Sequence, residues 1–257
     1  MEKKVYSRTI GINDSISGSC PGCMHSTIHK FIGEVEEELG IVERLVRVEG
    51  VGCCGLGQKY VTHDTTLAPH GRACAVATGL KRTSPDSIVY TYQGDGDLAS
   101  IGLAETMHAA NRGENISVIF INNAIYGMTG GQMAPTTLLG MKTTTTPGGR
   151  DPEKKHGYPM HMCEILNQLT APYYLERVTI IDPASARRTK AAIKKAFQYQ
   201  MEGRGFCMVE IVTSCPTNWG LTPVKALDFI RENMLKEFPL GVIRDHGCEK
   251  SGSSETN

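Results

Sequence analysis

"YQGDGDLAS", residues 92–100, sets two aspartates among glycines directly behind an apolar, β-prone run that begins at Ser87. Glycines 94 and 96 clear the mouth of that strand of side chains, so that backbone can come close to a ligand. Downstream, the amphipathic pattern from Leu98 to Arg112 predicts a helix that stops at Gly113, and "ISVIFI" at 116–121 reads as a strand buried on both faces. Strand, helix and strand make a βαβ unit. A right-handed crossover brings the C-terminal ends of both strands to one sheet edge, where ligands of such folds bind.

Working outward, short apolar runs alternate with longer amphipathic ones. Helices are expected over Met24–Leu39 (ending at Gly40), Arg72–Lys81, Met160–Thr170, Ala184–Met201 and Pro223–Phe238. Strands are expected over Glu43–Val48, Tyr173–Ile181 and Phe206–Val212. The expected fold is therefore α/β, a mostly parallel sheet with helices on both faces. One domain should cover residues 1–244, with a polar, disordered tail at 245–257. The Gly-, Thr- and Pro-rich segment 127–159 is too long for a plain connector and reads as a lid or partner surface, although "TTTT" at 143–146 is equally a plain polar loop. No internal repeat is present.

Composition narrows the function. The 257 residues are 40% hydrophobic, enough for a real core. Lys plus Arg and Asp plus Glu number 27 each, so no net charge draws the chain to nucleic acid or to an anionic membrane. No apolar window approaches the roughly 20 residues of a membrane span, and the N-terminus lacks an apolar signal segment. A cytoplasmic protein with small or specific partners is expected. Nine cysteines are many for that setting, where disulfides are rarely kept, so metal or cluster ligation enters the reading.

GDG at 94–96 is followed, after residues 97–121, by NN at 122–123. The βαβ geometry predicts that Asp95 and Asn123 reach one ion, a carboxylate and an amide oxygen of the kind Mg2+ takes at about 2.0–2.1 Å. Asp97 should shape the turn or cap the following helix. Gly-Asp pairs alone occupy many ordinary turns; NN at this interval behind a buried strand is what favours a metal. GDG and NN so spaced resemble the thiamine diphosphate signature, and "NNAIYGMTGGQMAPTT" at 122–137 resembles the β-subunits of 2-oxoacid:ferredoxin oxidoreductases, a likeness covering about residues 18–220. The resemblance implies Mg2+ on Asp95, Asn123 and the Ile125 carbonyl. It implies thiamine diphosphate contacts at Gly96, Asp97, Gly127, Met128 and His70, the last in "PHGRA" and otherwise readable as a helix-cap histidine.

The cysteines lie in three loops. "GSCPGCMHS" carries Cys20 and Cys23, whose CxxC spacing alone fits half a zinc site, a redox dithiol or coincidence. "GVGCCG" exposes Cys53 or Cys54 on a tight loop, and "TSCPTNWG" puts Cys215 just past a strand. Four such thiolates suit a [4Fe-4S] cube or tetrahedral zinc; electrons released at a neighbouring thiamine favour the cube. The resemblance matches Cys20, Cys23, Cys53 and Cys215 to cluster ligands, and has Val51, Gly52, Cys53 and Cys54 also line the thiamine site. Cys74, Cys163 and Cys207 read as small core residues.

The implied activity is oxidative decarboxylation of a 2-oxoacid, with coenzyme A taking the acyl group and ferredoxin the electrons. The loop at 128–151 looks closest to 2-oxoisovalerate-type members; 2-oxoglutarate or pyruvate are the alternatives, and a dicarboxylate would want a cation such as Lys142 or Arg150. Thiamine enzymes use a glutamate from a separate pyrimidine-binding domain, for which one α/β unit leaves no room. An α-subunit is therefore expected to complete the site, with further clusters on small ferredoxin-like subunits. The rivals are a non-redox thiamine decarboxylase or synthase, which needs no iron cysteines, and a zinc-binding interaction module, which leaves Asp95 and Asn123 idle.

Overall fold

The computed structural model describes residues 7–248. Its strands are β1 (Leu45–Glu49), β2 (Asp64–Leu67), β3 (Ile88–Gly94), β4 (Ser117–Asn122), β7 (Tyr174–Thr179), β8 (Cys207–Val212) and β9 (Gly241–Asp245) in one sheet, with β5 (Ile125–Tyr126) and β6 (Gln132–Met133) forming a separate hairpin. The sheet runs β2-β1-β3-β4-β8-β7-β9; every pair is parallel except β7 with β9.

Along β4, side chains alternate between two cores. Ile119 and Ile121 face a cluster built with α1 (His25–Leu39) and α5 (Pro183–Met201), whereas Val118 and Phe120 face one built with α2 (Ala73–Thr83), α3 (Leu103–Asn111) and α4 (Met162–Asn167). Burial on both faces is why this strand is apolar throughout. Register then places the site: Glu49 pairs with Tyr92, Gly94 with Ile121, and Asn122 with Val212, so β1, β3, β4 and β8 all end at one level.

Several expected elements differ. Strands β2 and β9 lack the continuous apolar run of a central strand because they are edge strands with half-exposed faces. The tail expected from residue 245 begins with order, since Asp245 closes β9 and its carboxylate accepts a hydrogen bond from Tyr199 Oη at 2.8 Å; residues 249–257 lie outside the described residues. The helix expected from Leu98 starts instead with a π-turn at Gly96–Ile101, the wider winding often found at functional sites. The helix expected over Pro223–Phe238 is broken by a second π-turn at Ile230–Met234, between α7 (Pro223–Phe229) and α8 (Leu235–Glu237). The remaining short helix, α6 (Pro216–Trp219), follows β8 directly. No described helix is long and apolar enough to cross a membrane.

Segment 127–159 is built rather than open. Buried Arg150 donates to the carbonyls of Pro135, Thr137, Gly157 and Tyr158 and so ties its two ends together. Within "TTTT", Thr143 Oγ1 bonds Thr146 Oγ1, and Thr145 Oγ1 accepts from Met133 N, which is the plain polar-loop role.

Candidate active site

Asp95 leaves β3 at the sheet edge and is almost wholly buried. Its Oδ1 accepts from Gly96 N at 2.8 Å; its Oδ2 accepts from Ile125 N at 3.1 Å and from Thr136 Oγ1 at 2.6 Å. Asn123 Oδ1 accepts from the same Ile125 N–H at 3.3 Å, so the two oxygens expected to share an ion already share a donor. Burial pushes the Asp95 carboxyl up to about 6 although Thr136, Gly96 and Ile125 all favour its charged form. A buried carboxylate bonded by Gly96 N, Ile125 N and Thr136 Oγ1, with no cationic side chain among its hydrogen-bond partners in the described residues, has beside a second hard oxygen the donor chemistry Mg2+ takes.

Between Asn123 and Ile125, Ala124 sits in the left-handed region at φ 59°. That conformation costs about 1–2 kcal/mol for a residue with a Cβ. The Asn122 side chain accepts from Ala124 N at 3.3 Å and Thr137 Oγ1 donates to Ala124 O at 2.6 Å, which hold it there. Asn122 is itself held: its Nδ2 donates to Glu210 Oε1 at 2.8 Å, and Glu210 Oε2 accepts from Arg177 Nε at 2.9 Å. Arg177 is paired further with both oxygens of Glu164. Removing one partner of a buried pair costs about 3–5 kcal/mol where the other charge is left bare. Glu164 still covers Arg177, so Glu210→Gln is expected to cost about 3 kcal/mol in denaturant unfolding and to weaken Mg2+-dependent cofactor binding about tenfold. Unchanged binding would show that the turn keeps its shape without Glu210.

Asp97 does not cap the helix. Asp95 is the residue that caps the π-turn, whereas the Asp97 carboxylate reaches back across the sheet edge. It accepts from Val51 N at 3.0 Å, Gly71 N at 2.9 Å and Gln93 Nε2 at 2.6 Å, and lies 2.5 Å from His70 Nδ1. It thus pins the loops after β1 and before α2 together. His70 is held by its Nδ1 side and remains a third exposed.

Every residue expected at the thiamine and magnesium site lines one recess of about 110 Å³: Val51, Gly52, Cys53, Cys54, His70, Asp95, Gly96, Asp97, Asn123, Ile125, Gly127 and Met128. Gly96 must be glycine, because a Cβ there would fall 2.1 Å from the Tyr126 ring that forms the wall. Cys20, Cys23, Cys53 and Cys215 line an adjoining cavity of about 270 Å³. The N-terminal loop is brought there by Ser214 Oγ, which donates to Gly22 O at 2.5 Å. Burial pushes the Cys53 thiol up to about 12, helped first by Cys215 and then by Cys23, Cys20 and Asp95. Cys54 does not line this second cavity: it is buried and its Sγ donates to Gly50 O at 3.2 Å. No three His, Cys, Asp or Glu side chains among the described residues are arranged to hold a single metal ion. His25, Cys53, Asn123, Gly127 and Met128 line both cavities and so form the wall between them.

Of the expected cations, Arg150 is spent on backbone carbonyls and Lys142 lines a separate groove beside Trp219. No lysine or arginine lines the recess among the described residues. Sequence reading missed Gln93, Thr136, Thr137, Asn218 and Glu210. Only "PTT" at 135–137, within the stretch that carries the resemblance, offered a signal.

Residues 50–211 match the family described as thiamine pyrophosphate enzyme, C-terminal TPP binding domain. The chain is 49% identical over 245 residues to the ketoisovalerate oxidoreductase subunit VorA of Methanothermobacter thermautotrophicus, covering 95% of this chain and 51% of that one. It therefore spans about half the length of that relative. It is 36% identical to the 2-oxoglutarate synthase subunit KorB of Archaeoglobus fulgidus, covering 83% of this chain and 75% of that one. A solved 2-oxoglutarate:ferredoxin oxidoreductase from Magnetococcus marinus, with 2-oxoglutarate, coenzyme A and succinyl-CoA bound, superposes with a TM-score of 0.75 at 27% identity, covering 96% of this chain and 85% of that one.

Proposed function

Because the chain belongs to the thiamine pyrophosphate-binding subunits of the 2-oxoacid oxidoreductases, we propose that it binds thiamine diphosphate and Mg2+ in the first recess and a [4Fe-4S] cluster in the second. The observation that carries this is the shared wall of His25, Cys53, Asn123, Gly127 and Met128. Bound there, thiamine diphosphate supplies addition to the 2-oxoacid carbonyl and release of carbon dioxide, with the acyl group passing to coenzyme A and the electrons through the cluster to ferredoxin. Asp95, Asn123 and the Ile125 carbonyl hold the magnesium. Gly96, Asp97, Gly127 and Met128 meet the diphosphate or thiazolium side, Asp97 through backbone because its carboxylate is engaged elsewhere. Of the two imidazoles that line the recess, His70, oriented by Asp97 and a third exposed, is placed for proton handling, whereas His25 is buried and bonded to the Tyr92 hydroxyl.

Zinc draws four thiolates to one point at about 2.3 Å each. The four thiols here instead line the walls of a cavity, which fits the corners of a cube better. Small-molecule sites commonly enclose roughly 300–1,000 Å³, so a recess of about 110 Å³ fits one half of a site closed by an α-subunit, which would bring the pyrimidine-side glutamate. Further ferredoxin-like subunits would carry electrons onward, in a cytoplasmic setting that keeps thiols reduced. Residues 1–244 would act as one thiamine-binding domain.

For the substrate, 2-oxoisovalerate is favoured by the VorA relative and by the absence of Lys or Arg among the described lining residues, since a second carboxylate would want a counter-charge. The test is an anaerobic preparation of the full chain with its co-purifying partners. About four iron atoms per chain beyond those carried by the partner subunits and a broad visible band are expected, bleached in the presence of coenzyme A faster by 2-oxoisovalerate than by 2-oxoglutarate or pyruvate. Colourless, zinc-loaded protein would sink the cluster; faster bleaching by 2-oxoglutarate would move the chain to that substrate.

A further inference from the structure

Asn218 stands one helical turn beyond Cys215 on α6, a spacing that puts both side chains on one face. Its Nδ2 donates to Cys215 Sγ at 3.2 Å and to Gly127 O at 2.9 Å, which uses both amide hydrogens. Carbonyl and sulfur on that side and not donors determine which end of the amide faces them. The other end is backed by Gly131, at φ +88°, where a Cβ would lie 3.1 Å from Asn218 Oδ1. Gly127 is as tightly set: a Cβ there would lie 3.2 Å from Cys53 Sγ and 3.5 Å from Cys215 Sγ. One side-chain amide therefore ties a sulfur of the second cavity to the wall of the first.

We propose that Asn218 is a positioning residue that braces Cys215 against the Gly127 wall and tunes the reduction potential of the group held by the four cysteines. This rests on the reading that the group is an iron–sulfur cluster. An N–H donor to a ligand sulfur favours the more negative, reduced form, so it raises the potential. Losing a donor of ordinary strength changes the reduction equilibrium about five- to tenfold, roughly 40–59 mV for one electron. Asn218→Ala loses the donor; Asn218→Asp loses it and adds a carboxylate while keeping the shape.

The experiment is a potentiometric titration, followed by electron paramagnetic resonance, of the full chain purified anaerobically with its co-purifying partners. Cys53→Ser identifies which signal belongs to this site. The midpoint is expected to fall from wild type to Asn218→Ala and further to Asn218→Asp, with iron content unchanged. An unshifted midpoint in either variant overturns the proposal, as does loss of iron from both, which would make Asn218 a structural brace alone. Wild-type protein without iron would instead refute the cluster reading and is told apart by that.

Discussion

Cys53→Ser is expected to strip the anaerobically purified protein of its visible band and its cluster iron, whereas Cys54→Ser keeps both. The two cysteines are neighbours in sequence and opposite in placement. Cys53 lines both cavities, and its Sγ lies beside Gly127 and Cys215. The Cys54 thiol is turned into the core, bonded to Gly50 O, and packed with the cluster that includes Ile28 and Tyr92. A serine at 53 replaces a soft thiolate with a hard, weakly acidic oxygen, a poor exchange for iron in this cluster type. A serine at 54 keeps a donor for Gly50 O and costs stability, about 1 kcal/mol from placing a hydroxyl where sulfur packed. Iron content and the visible spectrum of the two variants decide the matter. Loss of the band in Cys54→Ser alone would reverse the assignment of the third ligand.

The second large effect is at Asp95. Asp95→Asn is expected to lower Mg2+-dependent binding of thiamine diphosphate more than about 100-fold, since outer-shell changes at metal sites already cost 10–100-fold. Its signature is separable from unfolding. Wild-type protein should gain about 2.7 kcal/mol of stability when cofactor and metal stand at a hundred times the dissociation constant; the variant should gain almost none. Without ligands the variant should melt close to wild type, because relief of a buried carboxylate whose pKa burial has raised offsets the loss of one acceptor, the oxygen that meets Gly96 N. Thermal melts with and without Mg2+ and thiamine diphosphate read both. A variant that keeps the ligand-induced gain would place the metal elsewhere.

Each feature legible in the sequence has a local cause. The βαβ unit around GDGD follows from periodicity and from the glycine that ends its helix. The meeting of Asp95 with Asn123 follows from the level ends of adjacent parallel strands, Gly94 opposite Ile121. The convergence of three cysteine loops follows from the same geometry, because β1 and β8 end at that edge too and Ser214 ties the N-terminal loop to it. The edge strands β2 and β9 were illegible because a strand with one paired side and a wet face carries no continuous apolar run.

The sequence by itself determined the parallel α/β architecture, the edge of the sheet that carries the site, and the residue types gathered there. Only the tertiary structure decided that Asp97 pins neighbouring loops while Asp95 caps the turn, that Cys53 and not Cys54 lines the second cavity, and that Thr136, Glu210 and Asn218 hold the site in shape. Periodicity and turn chemistry are written in a few adjacent residues, whereas Asn218 meets Gly127 across 91 positions and Glu210 meets Asn122 across 88. Such partnerships exist only once strand register has brought distant segments together, and no short stretch of chain encodes them.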